Sequence, residues 1–378
     1  MHVFHFRLLT ACLLCWCLPS LAERKTNFPI DPKATKETLA LFTYLKQISG
    51  HSILFGHQHA TEYGHGWWGE ANRSDVKSVT GSHPAVIGVD FSGLSGQPDS
   101  LITKEENRLR QIIQDTYERG GIITVSWHFN NPLSDGGFYW KEGVSAAAVP
   151  LLIPGAAKHA VYKAILTRIA AFLHTVKGKN GALVPLLFRP FHELDGSWFW
   201  WGKNHCTPEQ LKELWKFTVS YLRDSMQVHQ LLYAYSPDCT FRTEEEFLER
   251  YPGDAYVDLV GMDNYADFGR DGKYDLAAAA HKLQVVQQYA DKAGKLTALT
   301  ETGLESIPKP DWWTSVLLKT IRTPGLKLCY VLVWRNDTRS ATHYYAPFPG
   351  QLSVPDFIRF YKDPAILFEK DLPRLYQP

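Results

Sequence analysis

Short apolar, β-branched runs recur along the chain. Between them lie longer stretches in which charged and apolar residues alternate at helical spacing. The runs fall at residues 52–55, 85–90, 121–127, 183–188, 230–235, 256–261, 296–300 and 328–334. Each is too short for a helix and reads as a buried strand. The amphipathic stretches fall at 104–119, 160–177, 208–224, 275–292 and 311–322. The third opens on Thr207-Pro208-Glu209-Gln210: Thr as cap, Pro at the first helical position, Gln three after the cap. Strands alternating with helices predict a parallel sheet, and eight of them predict closure into a (β/α)8 TIM barrel, one domain spanning 23–378. The alternation also fits an open doubly wound sheet. That fold ordinarily carries a Gly-rich phosphate loop after its first strand, and Gly56-His57-Gln58-His59 is not one.

A barrel carries its chemistry at the C-terminal ends of its strands. Here the ends are polar or aromatic throughout: His57 and His59, Asp90, Trp127-His128, His192-Glu193, Asp238, Asp263-Asn264-Tyr265, Glu301, and Trp334-Arg335-Asn336. Such residues therefore collect at one pole of the predicted barrel.

Composition narrows the class of partner. Lys and Arg number 40 against 39 Asp and Glu, with no basic run. No nucleic-acid footprint is expected. Residues 1–22 read as a secretory signal, with a charged start, the apolar core LLTACLLCWCL and the small-residue site Ser20-Leu21-Ala22. A secreted protein, extracellular or periplasmic, follows as an expectation. No later segment is long and apolar enough to span a membrane, and nothing in the sequence calls for a partner subunit, so a monomer is expected. Cys206, Cys239 and Cys329 lie beyond the signal and allow one disulfide at most. Asn72-Arg73-Ser74 and Asn336-Asp337-Thr338 are glycosylation acceptor sequences.

Twelve tryptophans change the picture further. Adjacent residues in a strand or helix point apart. Clusters such as Trp67-Trp68, Trp198-Phe199-Trp200-Trp201 and Trp312-Trp313 are therefore hard to bury whole. Some of these rings are expected to line a binding surface.

Two carboxylates stand out by context. Glu193 follows an apolar strand and His192; Glu301 follows Leu-Thr-Ala-Leu-Thr and precedes Thr302-Gly303. Each alone could be a salt-bridged structural residue. At the ends of strands four and seven they face one another across a barrel mouth. Paired carboxyls suit glycosidic cleavage: one protonates the leaving oxygen while the other attacks the anomeric carbon, if they lie about 5–5.5 Å apart. Tryptophan faces suit the apolar faces of pyranose rings. A barrel metallohydrolase competes, since His57 and His59, two apart in a strand, point to one side. Its further ligands are missing, because Ser236-Pro237-Asp238 and Asp263-Asn264-Tyr265 hold no His. A non-catalytic carbohydrate-binding barrel is a third reading. Arg189 is either an orienter of the acid or a buried partner of a neighbouring carboxylate. His128 is either a cleft residue or a satisfied core residue, and His65 is solvated or a substrate contact. No Gly-x-Ser-x-Gly elbow, phosphate loop or paired-Cys motif is present.

The motif RPFHELDGSWFWWG at 189–202 resembles the acid/base region of glycoside hydrolase family 26, the β-mannanases. Leu299-Thr300-Glu301-Thr302-Gly303 resembles its nucleophile strand. Gly56-His57-Gln58, Trp127-His128, Asp263-Asn264-Tyr265 and Val333-Trp334-Arg335-Asn336 follow in the family's order. The resemblance implies a retaining barrel hydrolase that needs no cofactor or metal and acts on β-1,4-mannans and manno-oligosaccharides. It implies Glu193 as acid/base and Glu301 as nucleophile, with His192 and Tyr265 near the reacting sugar. It implies Trp198 and Trp334 as stacking platforms, Arg335 and Asn336 on the non-reducing side, and Trp127, His128 and Arg189 around the substrate. Some members act on β-1,3-xylan or mixed-linkage glucan, so those substrates remain alternatives. Leu194-Asp195 departs from the Met-Asn often found there. The choice between endo and exo action falls to loops such as 57–83 and 128–156.

Overall fold

The computed structural model describes residues 28–376; the signal expected at 1–22 lies outside them. Eight parallel strands form the sheet: β1 (Ile53–Gln58), β2 (Val86–Asp90), β3 (Ile122–Ser126), β4 (Leu186–Arg189), β5 (Leu231–Tyr235), β6 (Leu259–Asn264), β7 (Leu296–Thr302) and β8 (Leu328–Val333). Each pairs with the next, and β8 returns to β1 with Leu54 opposite Tyr330 and His57 opposite Val333. The barrel is closed, as the sequence predicts, and the open doubly wound alternative is excluded. A two-residue strand, Ile366–Leu367, pairs alongside β1.

Every residue of these strands is buried, because helices cover the outside and side chains fill the inside. The main outer helices are Asp99–Glu118, His159–Thr175, Pro208–Ser220 and Leu276–Ala293. Thr207 and Gln210 form the expected reciprocal cap. The stretch expected as a helix at 311–322 is helical, but its first part, Trp313–Leu318, is wound as a π-helix that runs into the α-helical Lys319–Ile321. Its Trp312 and Trp313 are fully buried, so this cluster belongs to the core and not to a binding surface. Trp313, Phe357 and Phe360 surround Phe55 of β1 with ring centroids 5.4–5.9 Å away.

The fourth strand begins later than its apolar run suggests. Pro185 has no N–H to give a ladder, and Val184 bonds back to Val176 at 3.1 Å. Conversely, β1 extends through Gly56, His57 and Gln58, and β6 through Asp263 and Asn264. Polar residues at the catalytic pole thus remain in the sheet. The three cysteines of the described residues are all free. Among those residues no helix is long and apolar enough to cross a membrane.

Candidate active site

Beyond β4 the backbone turns sharply at Pro190. Phe191 (φ 49°) and Glu193 (φ 52°) are both left-handed. That conformation costs a non-glycine residue about 1–3 kcal/mol and survives only where the surroundings enforce it. The enforcing contacts are present. Glu193 N–H donates to Ser236 O at 2.8 Å, and Trp201 Nε1 to His192 O at 2.9 Å. The Asp195 carboxylate accepts from Asp238 N at 2.6 Å. Trp200 Nε1 donates to Phe129 O at 2.6 Å.

These bonds sort the tryptophans of the motif. Trp200 and Trp201 are wholly buried and fix backbone with their indole N–H groups. Trp198 alone is half-buried, and its Nε1 donates to Glu193 Oε2 at 2.5 Å. Gly196 makes room for it: a Cβ there would meet the Trp198 ring at 2.3 Å.

Glu301 arrives by a different device. Along β6 and β7, Met262 pairs with Leu299 and Asp263 with Glu301, so one residue of β7 is skipped. A bulge of this kind re-aims side chains. It sets Glu301 beside Asp263 at the barrel mouth, and one oxygen each from Glu193, Asp263 and Glu301 lie within 4.8 Å of one another. Both Glu301 oxygens are held. Tyr265 Oη donates to Oε1 at 2.7 Å and Arg189 Nη2 to Oε2 at 2.5 Å. The other Arg189 Nη donates to Asp263, which also accepts from Thr300 Oγ1 at 2.7 Å.

One guanidinium therefore holds two of the three carboxyls, and Glu193 lies outside its reach. Burial, reinforced by the charges of Glu301, Asp263 and Asp238, raises Glu193 well above the usual carboxylate range. Burial also raises Asp263, although Arg189 opposes it. Burial alone would lower Arg189, but Asp263 and Glu301 more than offset it and lock the cation. Glu193 has no cation against it. Of the two catalytic candidates, it is the one suited to carry a proton.

A second polar chain lines the wall. Asp90 accepts from Ser126 Oγ at 2.6 Å and sits 2.6 Å from His128 Nδ1, whose Nε2 faces His192 Nε2 at 3.3 Å. Burial pushes His192 down, and His128 and Arg189 push it further. The charged imidazolium is therefore disfavoured at this position. Trp334 is half-buried, 5.7 Å from His128 between ring centroids. Tyr139, 52% exposed, stacks on Phe199 and feels the charges of Glu193 and Glu301.

Sequence reasoning thus brought Glu193, Glu301, Tyr265, His128, His192, Trp198 and Trp334 to one pole. It assigned no part to Asp263, Asp90 or Tyr139, although position at a strand end pointed to both aspartates. Three expectations need correction. Trp127 is fully buried, stacked 4.2 Å from Phe129 and packed toward Tyr162 of an outer helix, so it meets no sugar. Arg189 is 2% exposed and touches carboxylates instead of substrate. Asn336 is 1% exposed, with its amide donating to Asp75 and Ala346 O and accepting from Tyr345 N and Ala346 N. It closes a loop, and as a buried donor it is no glycan acceptor. Arg335 stays half-buried at the rim, 6.0 Å over the Tyr63 ring and paired with Asp337 at 2.9 Å.

The metal reading finds no support in the donor set. His59 Nδ1 is engaged by Glu62 at 2.8 Å, and His57 is buried within β1, pushed down to about 3 chiefly by burial. Among the described residues, the three carboxylates are the only group of three or more ligands near enough to share an ion. Arg189 already supplies that cluster with a cation.

A model of glycosyl hydrolase family 26 matches residues 30–340. A mannan endo-1,4-beta-mannosidase of Bifidobacterium adolescentis is 38% identical over 87% of the chain; the chain spans 34% of that protein's length. One from Bacillus subtilis is 26% identical, with 85% of each chain covered. A solved GH26 β-mannanase of Bacteroides ovatus superposes with a TM-score of 0.83 at 43% identity, covering 91% of this chain and 98% of that one.

Proposed function

This chain belongs to glycosyl hydrolase family 26, and on that footing we propose that it cleaves β-1,4-mannosidic bonds in mannan, glucomannan or galactomannan with retention of configuration. The observation that carries the proposal is the unequal treatment of two facing carboxyls. Glu301 is held by Tyr265 and Arg189, whereas Glu193 is buried without a cation and pushed toward its protonated form. The named activity of the relatives supports the choice of mannan. Secretion as a monomer is part of the proposal and rests on the sequence alone.

In the first step a Glu301 oxygen attacks the anomeric carbon. The glycosidic C–O bond breaks, and its oxygen takes the proton of Glu193. In the second step Glu193, now a carboxylate, takes a proton from water. The water oxygen attacks the anomeric carbon and displaces Glu301. Two inversions give net retention, and the short gap between the carboxyls suits direct attack better than a water held between them. Tyr265 and Arg189 hold and aim Glu301, and Trp198 fixes the Glu193 carboxyl.

The test uses mannohexaose with the wild type and with Glu301→Ala and Glu193→Ala. Glu301→Ala is expected to lose turnover on every substrate. Glu193→Ala is expected to keep a fast first step, seen as a burst of leaving group, on substrates whose leaving group needs no proton, while the water-dependent second step slows. Product configuration is read by NMR at early times. Inverted product, or wild-type turnover by Glu301→Ala, overturns the mechanism.

A further inference from the structure

Of the tryptophans among the described residues, Trp68 alone is exposed, at 58%. It is nonetheless held rigidly. It pairs across a short antiparallel ribbon, Tyr63–Gly64 with Trp67–Trp68, and its ring lies 5.0 Å from that of Tyr63 at 6° between planes. Tyr63 in turn stacks on His59 at 5.1 Å, just past the end of β1, and carries Arg335 over its face. A stack of rings therefore runs outward from the catalytic rim and ends in an open indole. An exposed aromatic of this size, fixed by its neighbours, has surrendered its rotamer freedom before any ligand arrives.

Trp68 also forms part of a cleft of about 330 Å³ between this loop and the helix Asp99–Glu118. The other walls include Glu70, Asn72, Arg108, Gln111 and Asp115. The charges there oppose one another. Arg108 is paired with Glu62 and Glu105, and Gln111 donates to Asp115 at 2.9 Å. A cleft with a flat apolar face, many hydrogen-bonding groups and balanced charge suits a neutral polyhydroxyl ligand better than an ion or an apolar one.

We propose that Trp68 and this cleft form a distal subsite for the β-glycan chain, holding sugar units that have passed beyond the catalytic mouth on the side of β1 and β2. The inference rests on the glycan-cleaving function proposed above and extends the substrate-binding surface outward. The stack through Tyr63 and His59 joins the distal platform to the rim, so both can engage one chain. No residue of the cleft touches the reacting bond.

The test compares wild type, Trp68→Ala and Trp68→Tyr on mannotetraose and on soluble polymeric mannan. Loss of the indole is expected to lower kcat/KM on the polymer about tenfold, the scale of re-exposing roughly 60 Å² of apolar surface. The loss should appear in KM, leave mannotetraose unchanged and be largely restored by Tyr. Affinity electrophoresis in polymeric mannan should show the same order of binding. Equal kinetics of wild type and Trp68→Ala on the polymer overturn the inference, and so does an equal loss on both lengths. Should the wild type cleave another β-glycan and not mannan, the substrate reading fails by itself. The same comparison of long and short chains of that glycan then decides the role of Trp68.

Discussion

Arg189 and Glu301, 112 positions apart in sequence, meet at 2.5 Å, and the same guanidinium holds Asp263. The pair is buried, so removing one partner strands a charge in the interior. Arg189→Ala is expected to destabilise the fold by about 3–5 kcal/mol, read as a shift of the urea midpoint. Arg189→Lys keeps the charge but not the fork that spans two carboxylates. It is expected to fold and to lose about 10²-fold in kcat, as when one preorganised donor is removed, with KM little changed. A wild-type kcat in Arg189→Lys would falsify the positioning role.

The alkaline limb of the rate profile should belong to Glu193, because the acid acts only while protonated and rate falls as pH rises through its raised pKa. Two substitutions should move that limb in opposite directions. Asp238→Asn removes one of the negative charges that raise Glu193, so Glu193 ionises sooner and the limb moves to lower pH. Trp198→Phe removes the N–H that stabilises the carboxylate, so the limb moves to higher pH. Each displacement should be about half a unit to one unit, the equivalent of about 0.7–1.4 kcal/mol. Movement of both limbs in the same direction in kcat/KM profiles would sink the assignment of the acid.

Trp127→Ala separates a core residue from a substrate contact. The ring is packed among Phe129, Tyr162, Phe188 and Phe191. Its loss is expected to cost about 3–5 kcal/mol of stability, while KM of the folded fraction stays at the wild-type value. Unchanged stability with a raised KM would return Trp127 to the cleft.

The barrel was legible because each strand is buried on both faces and reads as an apolar run. Its strand ends were less so. His57 and Gln58, or Asp263 and Asn264, look like loop residues but stay in the ladder. The bulge that sets Glu301 beside Asp263 is a fact of backbone pairing and carries no residue signature. The tryptophans show the same boundary. Composition cannot tell an indole that fixes a carbonyl, as Trp200 and Trp201 do, from one that faces a ligand. Asn336 was assigned to substrate by motif, yet its amide is fully occupied by Asp75 and the 345–346 backbone.

Gly196 offers the sharpest test of the motif, because it has no side chain to reach either the sugar or the Glu193 carboxyl; its N–H meets only the Glu193 carbonyl, at 3.0 Å. A Cβ at this position would lie 2.3 Å from the Trp198 indole, closer than any ordinary contact, so the ring must move. Gly196→Ala is expected to break the Trp198–Glu193 hydrogen bond at a distance, with the pH consequence of Trp198→Phe. It should also add a strain cost of about 1–3 kcal/mol, typical of an overpacked site. Serine should behave like alanine, since it brings the same Cβ. A double variant, Gly196→Ala with Trp198→Phe, should show less than the sum of the two shifts in the alkaline limb, because both act through one indole. Full additivity would mean that Gly196 shapes the loop independently of Trp198, and the close approach would then have no bearing on the acid.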